Sequence, residues 1–109
     1  MNFDVEVTSY FKKQAKRLIG KYPSLKGEID NLVTTLTTDP EQGTSLGKGC
    51  YKIRLAIASK GKGKSGGARL ITHVQVVRQK VYLLSIYDKS ELEDLSDGDL
   101  KVLLKFMTE

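Results

Sequence analysis

The chain is 109 residues long, enough for a single domain with one core that needs neither disulfides nor metal to hold it together. Its one cysteine, Cys50, rules out an internal disulfide, and one cysteine with one histidine makes no zinc site without carboxylates from elsewhere. The formal charge of +5 conceals a division: no acidic residue lies between Glu41 and Asp88, where Lys48, Lys52, Arg54, Lys60, Lys62, Lys64, Arg69, Arg78 and Lys80 fall, leaving nine cations against all 13 acidic residues elsewhere.

An unbroken stretch of one sign raises the local potential and attracts polyanions, nucleic acid first among them and an anionic membrane surface second. The opening MNFDVEVTSY has no basic and apolar succession of a signal peptide, and no apolar run nears the ~20 residues that cross a bilayer. A cytoplasmic protein with no membrane partner, no metal and no cofactor is the expectation.

Phe3, Val5 and Val7 alternate with Asn2, Asp4 and Glu6, which predicts a short strand with one buried face. Thr8 or Ser9 then caps a helix whose apolar side is Phe11, Ala15, Leu18, Ile19 and Tyr22, with Lys12, Lys13, Lys16 and Arg17 opposite. Beyond Tyr22-Pro23-Ser24 the same spacing returns as Leu25, Ile29, Leu32, Val33 and Leu36 and stops at Asp39-Pro40. Two helices joined by a short turn form an αα-hairpin.

From Cys50 the period becomes two. Tyr51, Ile53, Leu55 and Ile57 point one way, and Lys52, Arg54 and Ala56 the other. A second strand, about 68–77, separates Leu70, Thr72, Val74 and Val76 from Arg69, Ile71, His73 and Gln75. A third, 81–87, separates Tyr82, Leu84 and Ile86 from Leu83, Ser85 and Tyr87, with Arg78-Gln79-Lys80 as the hairpin turn between them. With the buried faces aligned, Lys52, Arg54, Arg69, His73 and Tyr87 share one sheet surface, provided no bulge intervenes. Ser96-Asp97-Gly98-Asp99 reads as a capping box opening a last helix, whose Leu100, Leu103, Leu104 and Met107 either finish the core, the expected outcome, or stay exposed for a partner.

Ser59-Lys60-Gly61-Lys62-Gly63-Lys64-Ser65-Gly66-Gly67 is not a nucleotide-binding P-loop. Ala58 stands where the first glycine belongs, and the segment joins two strands instead of a strand to a helix. Alternating Gly and Lys suit an arm that follows a phosphate backbone and orders on contact with it.

Cys50-Tyr51-Lys52-Ile53-Arg54-Leu55, Gly67-Ala68-Arg69-Leu70-Ile71 and Val81-Tyr82-Leu83-Leu84-Ser85-Ile86-Tyr87, set in this order of elements, resemble the RelE/ParE toxin superfamily. Lys62-Gly63-Lys64-Ser65-Gly66-Gly67-Ala68-Arg69 and Tyr87-Asp88-Lys89-Ser90-Glu91 resemble a RelE/HigB-like branch with a GK-x-GG-x-R loop. The resemblance covers nearly the whole chain. It implies an α+β fold in which an N-terminal strand and αα-hairpin pack on a small antiparallel sheet with a short C-terminal helix. It implies the toxin of a type II toxin–antitoxin module, silenced by a cognate antitoxin, that enters the ribosomal A site and cuts mRNA without metal or cofactor. ParE-like relatives share the fold but poison DNA gyrase, and a non-catalytic RNA-binding accessory domain is a third reading.

Metal-free RNA cleavage needs a group to take the 2′-hydroxyl proton, one to protonate the leaving oxygen, and cations for the charge gathering on phosphorus. Arg69 suits the last role through its planar, permanently charged guanidinium. Lys52 and Arg54 match the family's basic pair, and clustered cations can prepare Lys52 as a base. Tyr87 serves as proton donor or stacking platform. The expected catalytic set is therefore Lys52, Arg54, Arg69 and Tyr87, with Lys60, Lys62, Lys64, His73 and Lys89 as RNA-binding residues. Where RelE has an arginine after the last strand and a tyrosine a few residues on, this chain has Ser90 and the vicinity of Ser96. Either Tyr87 replaces that tyrosine or the protein is a weak catalyst.

Overall fold

A computed structural model describes residues 2–58, 66–92 and 94–107. In chain order the elements are β1 (Asp4–Val7), α1 (Ser9–Lys21), α2 (Leu25–Leu36), β2 (Thr44–Gly47), β3 (Cys50–Leu55), β4 (Ala68–Gln75), β5 (Lys80–Asp88) and α3 (Asp97–Met107). The five strands form one sheet in the order β1-β5-β4-β3-β2. All neighbours are antiparallel except β1, which runs parallel to β5, so the sheet is mixed where a purely antiparallel one was expected. A parallel neighbour requires a crossover, and here the αα-hairpin, β2, β3 and β4 all intervene between the two strands.

Thr8 sets the start of α1 and ties it to the sheet. Its Oγ1 accepts from the Phe11 amide at 3.2 Å and donates to the Leu83 carbonyl at 2.8 Å. The first core lies beneath the αα-hairpin: Phe11, Ala15 and Leu18 of α1 and Leu25, Ile29, Leu32 and Leu36 of α2 meet Ile53, Leu55, Leu70, Val74, Val81, Leu83 and Ile86 from the sheet. Each large side chain buried there contributes about 1.5–3 kcal/mol of transfer free energy. A second, smaller core covers the other sheet face, where Leu100 and Leu103 of α3 pack on Cys50, Ile71, Leu84 and Tyr87. The stripe of α3 thus does finish a core, while Val102 and Phe106 stay exposed. Ser96 and Asp99 begin that helix as a reciprocal capping box, each side chain accepting from the other's amide at 3.1 and 3.3 Å.

Two strand details differ from the alternation. Thr72 lies opposite Leu83 but Ile71 opposite Ser85, so β5 carries one residue more than β4, at Leu84. Before the bulge Val81 and Leu83 face the first core and Tyr82 the second face. After it Ile86 faces the first core and Tyr87 the second. Leu83 therefore does not share a face with Tyr87. β4 ends at Gln75, and Val76 lies in the turn, exposed.

Candidate functional site

The register of β3, β4 and β5 places the charged residues. Arg54 lies directly opposite Arg69, and Arg69 directly opposite Tyr87, so one row crosses three adjacent strands. Lys52, two residues before Arg54, projects from the same face. Facing side chains in such a row have Cβ atoms about 4.5–5.5 Å apart, and like charges at that separation repel. Two guanidinium groups placed opposite each other raise the local positive potential.

The members of the row differ in exposure. Arg54 is exposed, whereas Arg69 retains 4% of its surface and donates to the Ala68 carbonyl at 3.1 Å. Tyr87 is 5% exposed. Its hydroxyl is buried without a hydrogen bond of regular geometry among the described residues, although Asp94 stands close enough to act on it. Burial first, then the Asp94 charge, pushes the phenol up to about 12, with Arg69 opposing the shift. Tyr87 is consequently a neutral hydroxyl near pH 7, able to give a proton and unable to take one. Lys52 is mostly covered and donates to Asp94 Oδ1 at 3.2 Å.

His73 lies on the same sheet face but farther along β4, opposite Cys50 on one side and Tyr82 on the other. Its Nδ1 is 3.6 Å from Cys50 Sγ, and its ring centroid is 6.5 Å from that of Tyr82. Desolvation lowers its pKa, so the ring is neutral near pH 7, and burial pushes the Cys50 thiol up to about 11. Lys89 follows β5, and its amide donates to the Gly67 carbonyl at 3.1 Å, fixing the corner where β4 begins. Lys60, Lys62 and Lys64 lie outside the described residues.

The Tyr87-Asp88-Lys89-Ser90-Glu91 segment has a structural task that sequence reasoning did not assign. Asp88 is fully buried: Oδ2 accepts from the Tyr22 hydroxyl at 3.0 Å, and Oδ1 from the Ser90 amide and hydroxyl at 3.0 and 2.8 Å. Glu91 pairs with Arg17 of α1 at 2.9 Å. The segment thus locks the end of β5, and with it Tyr87, to the αα-hairpin. Asp94 was also missed; its contact with Lys52 spans 42 positions, and no local pattern announces it.

Residues 7–109 match the family described as RelE toxin of the RelE / RelB toxin-antitoxin system. The chain belongs to the RelE toxin family. Among solved structures, E. coli toxin RelE, in a double-arginine mutant in the free state, is similar with a TM-score of 0.61 at 18% identity, over 85% of this chain and 90% of that one. At that identity the likeness concerns the fold, and it is the RelE α+β fold. No helix of the described residues in this RelE-family toxin is long and apolar enough to cross a membrane.

Proposed function

We propose that this RelE-family chain is the toxin of a type II module and a ribosome-dependent mRNA endonuclease, acting on mRNA in the ribosomal A site and held inactive by a cognate antitoxin. The observation that carries the reading is the row Arg54, Arg69, Tyr87 with Lys52 beside it: three cations and a neutral hydroxyl on one sheet face. In the proposed reaction the 2′-oxygen attacks the adjacent phosphorus and the bond to the 5′-oxygen breaks, leaving a 2′,3′-cyclic phosphate and a 5′-hydroxyl. Lys52, Arg54 and Arg69 neutralise the charge that gathers on the non-bridging oxygens. Tyr87, whose hydroxyl the free protein keeps covered, gives its proton to the departing 5′-oxygen once bound RNA has displaced that cover, while the 2′-proton passes to a solvent base. Lys60, Lys62, Lys64 and Lys89 grip flanking phosphates, and His73 lines the approach. No metal or cofactor takes part.

Primer extension on a defined mRNA, with and without translating ribosomes, tests this. Cuts are expected only with ribosomes. They are expected to vanish in Arg69→Ala and to fall by about 10²- to 10⁴-fold in Tyr87→Phe, the range for a lost general acid. Absence of cuts from folded, antitoxin-free protein overturns the endonuclease and directs attention to inhibition of DNA gyrase supercoiling.

A further inference from the structure

Asp94 lies in the connection between β5 and α3, and the reaction just described has no use for it. Its Oδ1 nevertheless accepts from Lys52 Nζ at 3.2 Å and from the Leu95 amide at 2.9 Å. The buried Tyr87 hydroxyl, which has no regular partner among the described residues, lies within its electrostatic reach, and Arg69 acts on that same hydroxyl. A carboxylate offers a cation and a hydroxyl donor what a phosphodiester offers them, an oxygen pair with one negative charge.

We infer that Asp94 is an internal substitute for the RNA phosphate: in the free protein its carboxylate occupies Lys52 beside Tyr87, and it must leave before RNA can engage that cation. This rests on the endonuclease reading for the identity of the anion. The exposures fit a displaceable occupant. The Asp94 side chain is 61% exposed and that of Lys52 only 23%, so the acid reaches inward from solvent to a cation that is mostly covered. Ion pairs with one exposed partner are weak, and an RNA chain that also meets Arg54 and Arg69 brings more contacts than the carboxylate can match. An isolated small anion brings no such surplus and does not displace it.

The test uses the full chain, free of antitoxin, and a fluorescein-labelled single-stranded RNA whose 2′-O-methyl groups prevent cleavage, followed by anisotropy at low salt. Asp94→Asn is expected to tighten binding about three- to fivefold, the range of an exposed ion pair. Asp97→Asn removes the same charge from an exposed position and is expected to change affinity by less than about 1.5-fold. In a Lys52→Met background the Asp94→Asn gain is expected to disappear. Equal gains from both aspartates, a gain that survives in Lys52→Met, weaker binding by Asp94→Asn, or no RNA binding by any of the proteins each overturn the inference. Primer extension on the same proteins separates it from the endonuclease reading. The Asp94→Asn gain without ribosome-dependent cuts leaves the phosphate substitute standing and removes the nuclease. Cuts by wild type with Asp94→Asn no different from Asp97→Asn in affinity do the reverse.

Discussion

Tyr87 carries its hydroxyl into a buried place where no described residue offers it a hydrogen bond of regular geometry. A buried, unpaired hydroxyl costs about 1–3 kcal/mol by mutational measures, so a fold selected for stability alone has no reason to keep it. Tyr87→Phe is expected to leave the melting temperature unchanged or to raise it, while cutting falls; thermal denaturation beside primer extension reads both. A loss of stability in Tyr87→Phe would show that the hydroxyl has a partner in solution. The pH dependence carries a sign as well. The folded state holds the phenol neutral up to about 12, against an ordinary 10.0. Between those values the unfolded chain releases a proton that the folded chain keeps, so the unfolding free energy falls as pH rises through that window. Tyr87→Phe is expected to flatten that slope in denaturant titrations above pH 10, leaving the contributions of Cys50, whose thiol shifts from 9.0 to about 11, and of Tyr51 and Lys80, held up by Glu41 and Glu6.

At the scale of elements, the site depends on how closely β4 starts against the end of β3. Gly67 is the residue that permits it: a Cβ there would collide with the Leu55 carbonyl oxygen and press the Ile57 amide at 3.1 Å. Backbone atoms cannot turn aside as a side chain can. Gly67→Ala is therefore expected to destabilise by about 1–3 kcal/mol, measured by urea denaturation, and to loosen the Arg54–Arg69 pairing two residues on. A neutral Gly67→Ala would mean that the strand entry is pliable and the row not held by it. The elements were unevenly legible in the sequence. β3 and the first six residues of β4 carry plain period-two patterns, and these alone put Lys52, Arg54, Arg69 and His73 on one face. β5 hides its bulge because Leu83 and Leu84 are both apolar, so only pairing with Thr72 and Ile71 reveals which one is extra. β2 is Thr-Ser-Leu-Gly, with no alternation to find; it exists because Lys48 and Gly49, at φ 56 and 74, close a tight two-residue hairpin onto β3. The parallel pairing of β1 with β5 and the Asp94–Lys52 contact are settled by tertiary packing that local patterns do not encode.

For the molecule as a whole, the basic stretch of the sequence supplies the cations of the row on β3 and β4, although Lys52 and Lys80 pair with Asp94 and Glu6 from outside that stretch. The row on β3 and β4 faces away from the αα-hairpin, and in the sequence Lys60, Lys62 and Lys64 fall between these two strands. If these lysines grip RNA phosphates as proposed, the affinity for a non-cleavable single strand must depend steeply on salt, because each phosphate contact releases counterions. The slope of log affinity against log salt is about −0.7 per phosphate on single strands, so replacing Lys60, Lys62 and Lys64 together by serine is expected to flatten it by about 2. Arg54→Ala is expected to flatten it by about 0.7 and, unlike the triple substitution, to slow cutting more than it weakens binding, because it stands in the row with Arg69 and Tyr87. Anisotropy titrations across a salt series decide between a gripping arm and a solvated one. An unchanged slope in the triple variant would confine recognition to the sheet face, and the basic charge of the arm would then act only at long range, speeding encounter with the polyanion without holding it.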